Sequence, residues 1–221
     1  MFHTIPDLLT PEEVNHLLEF SKTHLFSDGK GSNEEFELKN NLQANPQDPA
    51  AQQASAIVQN ALFRNEWVRD IVIPKSLASP MITKYTPGME YGEHVDTHVV
   101  TGSIPVRVDI SCTVFLNDPK TYDGGELIVR LADKTITIKE KAGTAFLYPS
   151  ANQYHRVAPV TRGERIVAIT FMQSHIRDQS KRAILYELQG FLNDYGESLT
   201  SEAQMQLEYV RTNLMRMWYE D

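Results

Sequence analysis

The stretch Tyr91-Gly92-Glu93-His94-Val95-Asp96-Thr97-His98 decides how this chain is read. His94 and Asp96 stand two residues apart. On an extended strand, side chains at i and i+2 point to one face. An imidazole and a carboxylate then converge on one point, with Cα atoms about 6–7 Å apart by strand rise. These are two members of the two-His, one-carboxylate facial triad that holds non-haem Fe(II) with positions left open. The triplet alone is weakly specific and takes its meaning from its surroundings.

Those surroundings lie downstream. His155 sits in Gln153-Tyr154-His155-Arg156-Val157, a run of strand character. Arg165 opens the next strand, after a turn signalled by Thr161-Arg162-Gly163. A hairpin centred near Val160 and Thr161 is expected to return Arg165 beside His155. His94, Asp96 and His155 can then hold one metal, with a permanent cation nearby. A small dianion can chelate the metal at one end and meet the guanidinium at the other. Arginine suits that task because its planar fork takes a carboxylate bidentately and keeps its charge. The pattern is the chemistry of an Fe(II)/2-oxoglutarate dioxygenase. His98 is set aside as a ligand, because a fourth protein group would fill a position needed by cosubstrate or oxygen.

The chain has 221 residues, enough for one domain with a sizeable core. With 21 basic and 29 acidic residues it carries a net charge of −8. That balance disfavours nucleic acid as a partner, since phosphate-backbone binding rests on a basic face. The lone Cys112 excludes an internal disulfide and reads as a small buried hydrophobe. No apolar run reaches 18 residues and no signal-peptide pattern opens the chain, so the expected location is cytoplasmic, with no membrane partner.

In chain order, Phe2 to Leu9 reads as an extended lead-in. Thr10-Pro11-Glu12-Glu13 is a capping box with Pro at the first helical position. Residues 27–55 are polar and read as a surface loop or a flap over the site. A helix follows from about Pro49 to Phe63. Strands are expected near 81–86, 91–97, 106–116, 125–131, 134–140, 144–148, 153–158 and 165–173, with turns at Asp123-Gly124-Gly125 and Ala132-Asp133-Lys134. Arg107 and Asp109 alternate in phase and either line the site or pair with each other. A helix from Asp178 to Tyr195 and a last one capped by Thr200 or Ser201 complete the chain. The fold expected is α+β and mainly β: a double-stranded β-helix (jelly roll) with N-terminal helices and a C-terminal helical pair. Residues 1–177 would form the jelly-roll domain. Residues 178–221 would form a helical segment that closes the barrel or makes a subunit contact in a homo-oligomer.

Several motifs together carry a family resemblance. They are Lys39-Asn40-Asn41-Leu42-Gln43, Tyr91 to Asp96, Leu116-Asn117-Asp118-Pro119 and Tyr122-Asp123-Gly124-Gly125-Glu126-Leu127. They continue with Leu147-Tyr148-Pro149-Ser150, His155-Arg156-Val157 and Pro159 to Gly163, then Gln173-Ser174-His175-Ile176-Arg177-Asp178 and Lys181-Arg182-Ala183. Over most of its length the chain resembles the PKHD-type hydroxylases, a branch of the prolyl 4-hydroxylase-like Fe(II)/2-oxoglutarate dioxygenases. The resemblance implies that His94, Asp96 and His155 bind Fe(II) and that Arg165 binds the distal carboxylate of 2-oxoglutarate. It implies that Tyr85 contacts the cosubstrate. It further implies O2 as oxidant, L-ascorbate as a reductant, and succinate as a product. The substrate would be a prolyl residue of a peptide or protein, or a small molecule linked to iron uptake. A nucleic-acid dealkylase on the same metal site conflicts with the acidic charge, and a zinc hydrolase has no need of the distal cation. A non-catalytic iron or 2-oxoglutarate sensor is the alternative from another class.

Overall fold

The computed structural model describes residues 2–32, 39–102 and 104–220. Residues 33–38, inside the segment read as a loop or flap, lie outside these. Five α-helices are described: α1 (Pro11–Thr23), α2 (Pro49–Arg64), α3 (Glu66–Val72), α4 (Gln179–Tyr195) and α5 (Ser201–Trp218). The capping box forms as expected. The Glu13 N–H donates to Thr10 Oγ1 at 3.3 Å, and the Thr10 N–H donates to Glu13 Oε2 at 2.9 Å.

The described strands build two large antiparallel sheets that face each other, and two small two-stranded ones, Val99–Val100 with Val106–Arg107 and Asp123–Gly124 with Val160–Arg162. The larger has eight strands, in the order His3–Ile5, Ala145–Tyr148, Ile110–Phe115, Arg165–Ser174, Met81–Tyr85, Leu42–Ala44, Phe26–Asp28, with Pro74–Leu77 also paired to Arg165–Ser174. The smaller has five, in the order Lys134–Ile138, Leu127–Leu131, His155–Val157, Glu90–His94, Lys39–Asn40. Alternation sorts the side chains of the larger sheet. Ile110, Cys112, Val114, Ala145, Leu147, Ile166, Ala168 and Met172 pack outward against Leu17, Val58, Leu62 and Ile71 of the first three helices. Their strand neighbours Phe115, Phe146, Tyr148 and Val167 point inward and meet Leu127, Val129 and Ile138 of the smaller sheet. Both faces of the central strands are therefore covered, which is why the run around Cys112 is continuously apolar. This is the double-stranded β-helix, with helices on the back of its larger sheet.

Several expectations need correction. The segment 27–55 is not simply loop: Phe26–Asp28 and Leu42–Ala44 join the larger sheet and Lys39–Asn40 edges the smaller one. These strands are only two or three residues long and rich in polar residues, so hydropathy hides them. The expected 106–116 strand is two pieces, Val106–Arg107 and Ile110–Phe115. Asp123–Gly124 is a short strand rather than a turn, paired with Val160–Arg162. That pairing also removes the hairpin expected to return Arg165 beside His155. The strands of His155 and Arg165 lie in opposite sheets, and each residue is in phase with the inward-facing side chains of its strand. Helix α3 was not expected; Asn65 caps it, accepting the Val68 N–H at 3.0 Å.

At the C-terminus, α4 packs on α3, and α5 packs on α4. Leu185 and Leu192 of α4 are buried. No residue of α5 is buried, and Met205, Tyr209, Val210 and Met217 are exposed. Of Leu207, Val210, Leu214 and Met217, which share one side of α5, Val210 and Met217 are exposed and Leu207 and Leu214 are half-buried. The chain end is tied back: the Glu220 N–H donates to the His175 carbonyl at 2.7 Å, and Tyr219 stacks on His175 with ring centres 4.0 Å apart.

Candidate active site

His94 and His155 are direct cross-strand partners in the smaller sheet. Two positions on, Val157 pairs with Tyr91, so two residues of one strand oppose three of the other. This β-bulge puts Tyr91 and His94 on the same inward face, which a regular strand would not. The Tyr91 ring stacks on the His94 imidazole at 3.7 Å between centres and 16° between planes. Each histidine Nδ1 is engaged by a main-chain carbonyl: His94 with Gly92 at 2.7 Å and His155 with Gln153 at 3.0 Å. With Nδ1–H donating, each Nε2 is left as a ligand atom.

Asp96 corrects the expectation that one strand carries both early residues. The strand ends at His94, and Asp96 lies in the following loop. Its N–H leaves the ladder and donates to the Ser150 carbonyl at 3.3 Å. The Ser111 hydroxyl donates to Asp96 Oδ2 at 3.0 Å and also touches the Ser150 hydroxyl. The carboxylate then faces both imidazoles, 3.7 Å from His94 Nε2 and 3.6 Å from His155 Nε2. Burial pushes the Asp96 carboxyl up, but His94, His155 and Ser150 outweigh it and hold the group below its ordinary value. Burial lowers the His155 imidazole. One ligand atom from each of the three residues lies within 4.8 Å of the others. Two imidazoles and a carboxylate gathered from one side suit a first-row metal with open positions.

Arg165 points into the same barrel, 1% exposed. It is the cross-strand partner of Tyr85, and its guanidinium lies 5.1 Å from the Tyr85 ring centre and 5.8 Å from that of Phe115. Among the described residues its Nε and Nη1 have no hydrogen-bond partner, and neither do Thr83 Oγ1 and the Tyr122 hydroxyl. Gly125 makes room for its stem: a Cβ there would stand 2.9 Å from Arg165 Cδ. A buried cation without a counter-charge is costly, so the arrangement fits an incoming carboxylate. The Tyr85 hydroxyl accepts from Asn41 Nδ2 at 2.9 Å, which leaves its own proton to donate. Burial raises the Tyr85 phenol and Arg165 pulls it back only in part, so it stays protonated. These residues fit 2-oxoglutarate as the metal triad fits iron.

Other expected residues settle elsewhere. His98 is exposed and outside the triad. Arg107 and Asp109 pair with each other at 2.8 and 2.9 Å. Sequence reasoning gave no role to Asn41, Tyr91, Ser111 or Ser150, although Asn41, Tyr91 and Ser150 belong to the quoted motifs. Lys39 was also missed. It is buried and its Nζ lies 5.4 Å from the Tyr91 ring centre. A cavity of about 710 Å³ opens beside Phe171, the cross-strand neighbour of Ser111, with Gln43, Met81, Val100, Ile104 and Val106 on its walls.

Fold and triad define a class, the 2OG-Fe(II) oxygenases, and the model of the 2OG-Fe(II) oxygenase superfamily matches residues 80–173. The chain is 40% identical to a PKHD-type hydroxylase of Sphingopyxis alaskensis, over 96% of each chain. It belongs to the PKHD-type hydroxylases, and is an Fe(II)- and 2-oxoglutarate-dependent dioxygenase. Two solved structures share its fold. A prolyl-4-hydroxylase of Pseudomonas putida superposes with a TM-score of 0.56 at 19% identity, covering 78% of this chain and 92% of that one. A prolyl hydroxylase of Trichoplax adhaerens, in complex with a hypoxia inducible factor peptide fragment, gives 0.57 at 17% identity, covering 83% and 86%. No helix among the described residues is long and apolar enough to cross a membrane.

Proposed function

We propose that His94, Asp96 and His155 bind Fe(II), that Arg165 and Tyr85 hold the distal carboxylate of 2-oxoglutarate, and that the protein hydroxylates an aliphatic C–H with release of succinate and CO2. The observation that carries this is Arg165, a buried guanidinium with two unpartnered N–H groups in the barrel that holds the triad. Iron and cosubstrate together supply the activation of O2 for attack on the C–H. The chain's own residues orient and shield. Asp96 is aimed by Ser111 and Ser150, and each imidazole by a main-chain carbonyl. Tyr85 can donate to a carboxylate that Arg165 neutralises. Phe115 and Val167 wall the cosubstrate side with apolar surface, which excludes water.

The favoured substrate is a prolyl residue of a peptide or protein. The fold shared with a peptide-bound prolyl hydroxylase supports this by analogy alone. A small metabolite is the second reading, supported by the cavity beside Phe171, whose size suits a compact organic molecule. Ascorbate as reductant and a cytoplasmic location belong to the same proposal. The test is succinate formation from 2-oxoglutarate with Fe(II), run with proline-containing peptides and with cell extract, and a mass-spectrometric search for +16 Da. Oxygen found only in a low-mass compound removes the prolyl reading. Absence of stimulated succinate and of any +16 Da product leaves a sensor of iron or 2-oxoglutarate.

A further inference from the structure

A second cavity, of about 270 Å³, is lined by His98, Arg107, Asp109, Asn152, Arg177 and Arg182, among others. It borders the triad's carboxylate loop. His98 follows Asp96 by two residues, and Asn152 belongs to the turn Ser150–Asn152 whose first carbonyl accepts the Asp96 N–H. In a chain of net charge −8, three arginines converge here on one lining carboxylate. Arg107 is already committed: it holds Asp109 bidentately, Glu220 at 2.9 Å and the Ser174 carbonyl at 3.1 Å. Asp109 is likewise engaged, accepting the Ser174 N–H at 2.9 Å.

Arg177 and Arg182 are different. Neither forms an ion pair with a carboxylate among the described residues. Arg182 is 1% exposed. Its Nη1 donates to the carbonyls of Ile176 and Arg177 at 2.6 and 2.8 Å, which fixes the guanidinium, while its Nε has no partner. Arg177 is exposed at the mouth. Asp178, between them in sequence, turns its carboxylate to the N–H groups of Ser180 and Lys181. Both arginines belong to motifs, Gln173 to Asp178 and Lys181 to Ala183, that the iron chemistry leaves unused.

We propose that this pocket binds a carboxylate or phosphate group carried by the primary substrate, with Arg182 at the floor, Arg177 at the mouth and His98 at the side. Asp109 and Asp178 are the nearby carboxylates but form no ion pair with Arg182 among the described residues, and an oxoanion in the cavity adds a direct partner in the geometry its planar fork prefers. The cavity holds a group of that size and leaves the rest of the substrate to reach the iron. This inference rests on the hydroxylase reading, so its test has one arm that needs no turnover.

That arm titrates inorganic phosphate into the full chain by calorimetry, at constant ionic strength. Wild type and Arg165→Ala should bind alike, because the cosubstrate anchor is a separate cation. Arg177→Gln and Arg182→Gln should each bind about tenfold more weakly or worse. Arg177 is exposed, so its variant decides the matter even if Arg182→Gln fails to fold. No binding by wild type, binding unchanged in Arg177→Gln, or binding lost in Arg165→Ala overturns the site. The second arm passes the +16 Da product from cell extract over an anion exchanger. Retention is expected; a neutral or cationic product overturns the assignment to substrate, whatever phosphate does.

Discussion

Arg165 and Tyr85 are direct cross-strand partners whose side chains share one inward face, with the guanidinium 5.1 Å from the ring centre. Register alone therefore brings the cation and the phenol to one end of the barrel. Arg165→Ala should raise the 2-oxoglutarate requirement by about 1.5–3 kcal/mol, or roughly 10–100-fold, and leave iron affinity nearly intact. The apparent cosubstrate constant from succinate release, beside an iron titration, checks this. If iron affinity falls instead, Arg165 is structural.

Gly125→Ala should act in the same direction. Its φ of +67° disfavours a side chain, and the new Cβ would stand 2.9 Å from Arg165 Cδ. A raised cosubstrate requirement with an unchanged iron constant is expected. An unaltered requirement would mean that the guanidinium has slack.

His94→Ala, Asp96→Ala and His155→Ala should each abolish turnover and greatly weaken iron binding, since each deletes one of three protein ligands. Ser111→Ala should be milder, lowering iron affinity about 10–100-fold, because it removes the hydroxyl that aims Asp96. Calorimetric titration ranks the four. Near-native affinity in any alanine variant of the triad removes that residue from it.

Lys39 predicts a pH dependence. Burial lowers its ammonium from the usual 10.5 to about 8, with Asp96 and Asp28 pulling it back up. As pH falls from 10.5 towards 8, the unfolded chain takes up the proton and the folded chain does not. Stability from this group is therefore lost over that window, and the full penalty remains below it. Lys39→Met should flatten the dependence of stability on pH between about 8 and 10.5. Urea unfolding at about pH 8 and about pH 10 measures it; a variant with the same pH dependence as wild type would show that Lys39 is not the group responsible.

We propose that residues 178–221 form a separate helical segment that also serves as a subunit contact. Deletion after Arg177 would uncover the α3 surface now met by α4 and remove the open apolar side of α5. A less soluble product or a changed oligomeric state is expected in light scattering. A truncated chain of unchanged size and melting temperature would make the tail dispensable.

The sequence by itself determined the elements whose cause is local. The Thr10 capping box and the Asp178 and Thr200 caps each follow from neighbouring residues. His94, Asp96, His155 and Arg165 were singled out from residue type and spacing, and the structure gathers the first three into one cluster and buries the fourth. How they meet was not legible. The strand bulge at Tyr91, the Asp96 N–H turned to Ser150, and the placing of Arg165 and His155 in opposite sheets depend on partners distant in sequence. The strands within 26–44 were equally hidden, since runs of two or three residues rich in polar side chains leave no apolar rhythm. Only the tertiary structure decided these features, because hydrogen-bond ladders between remote segments set register, and register sets which side chains share a face.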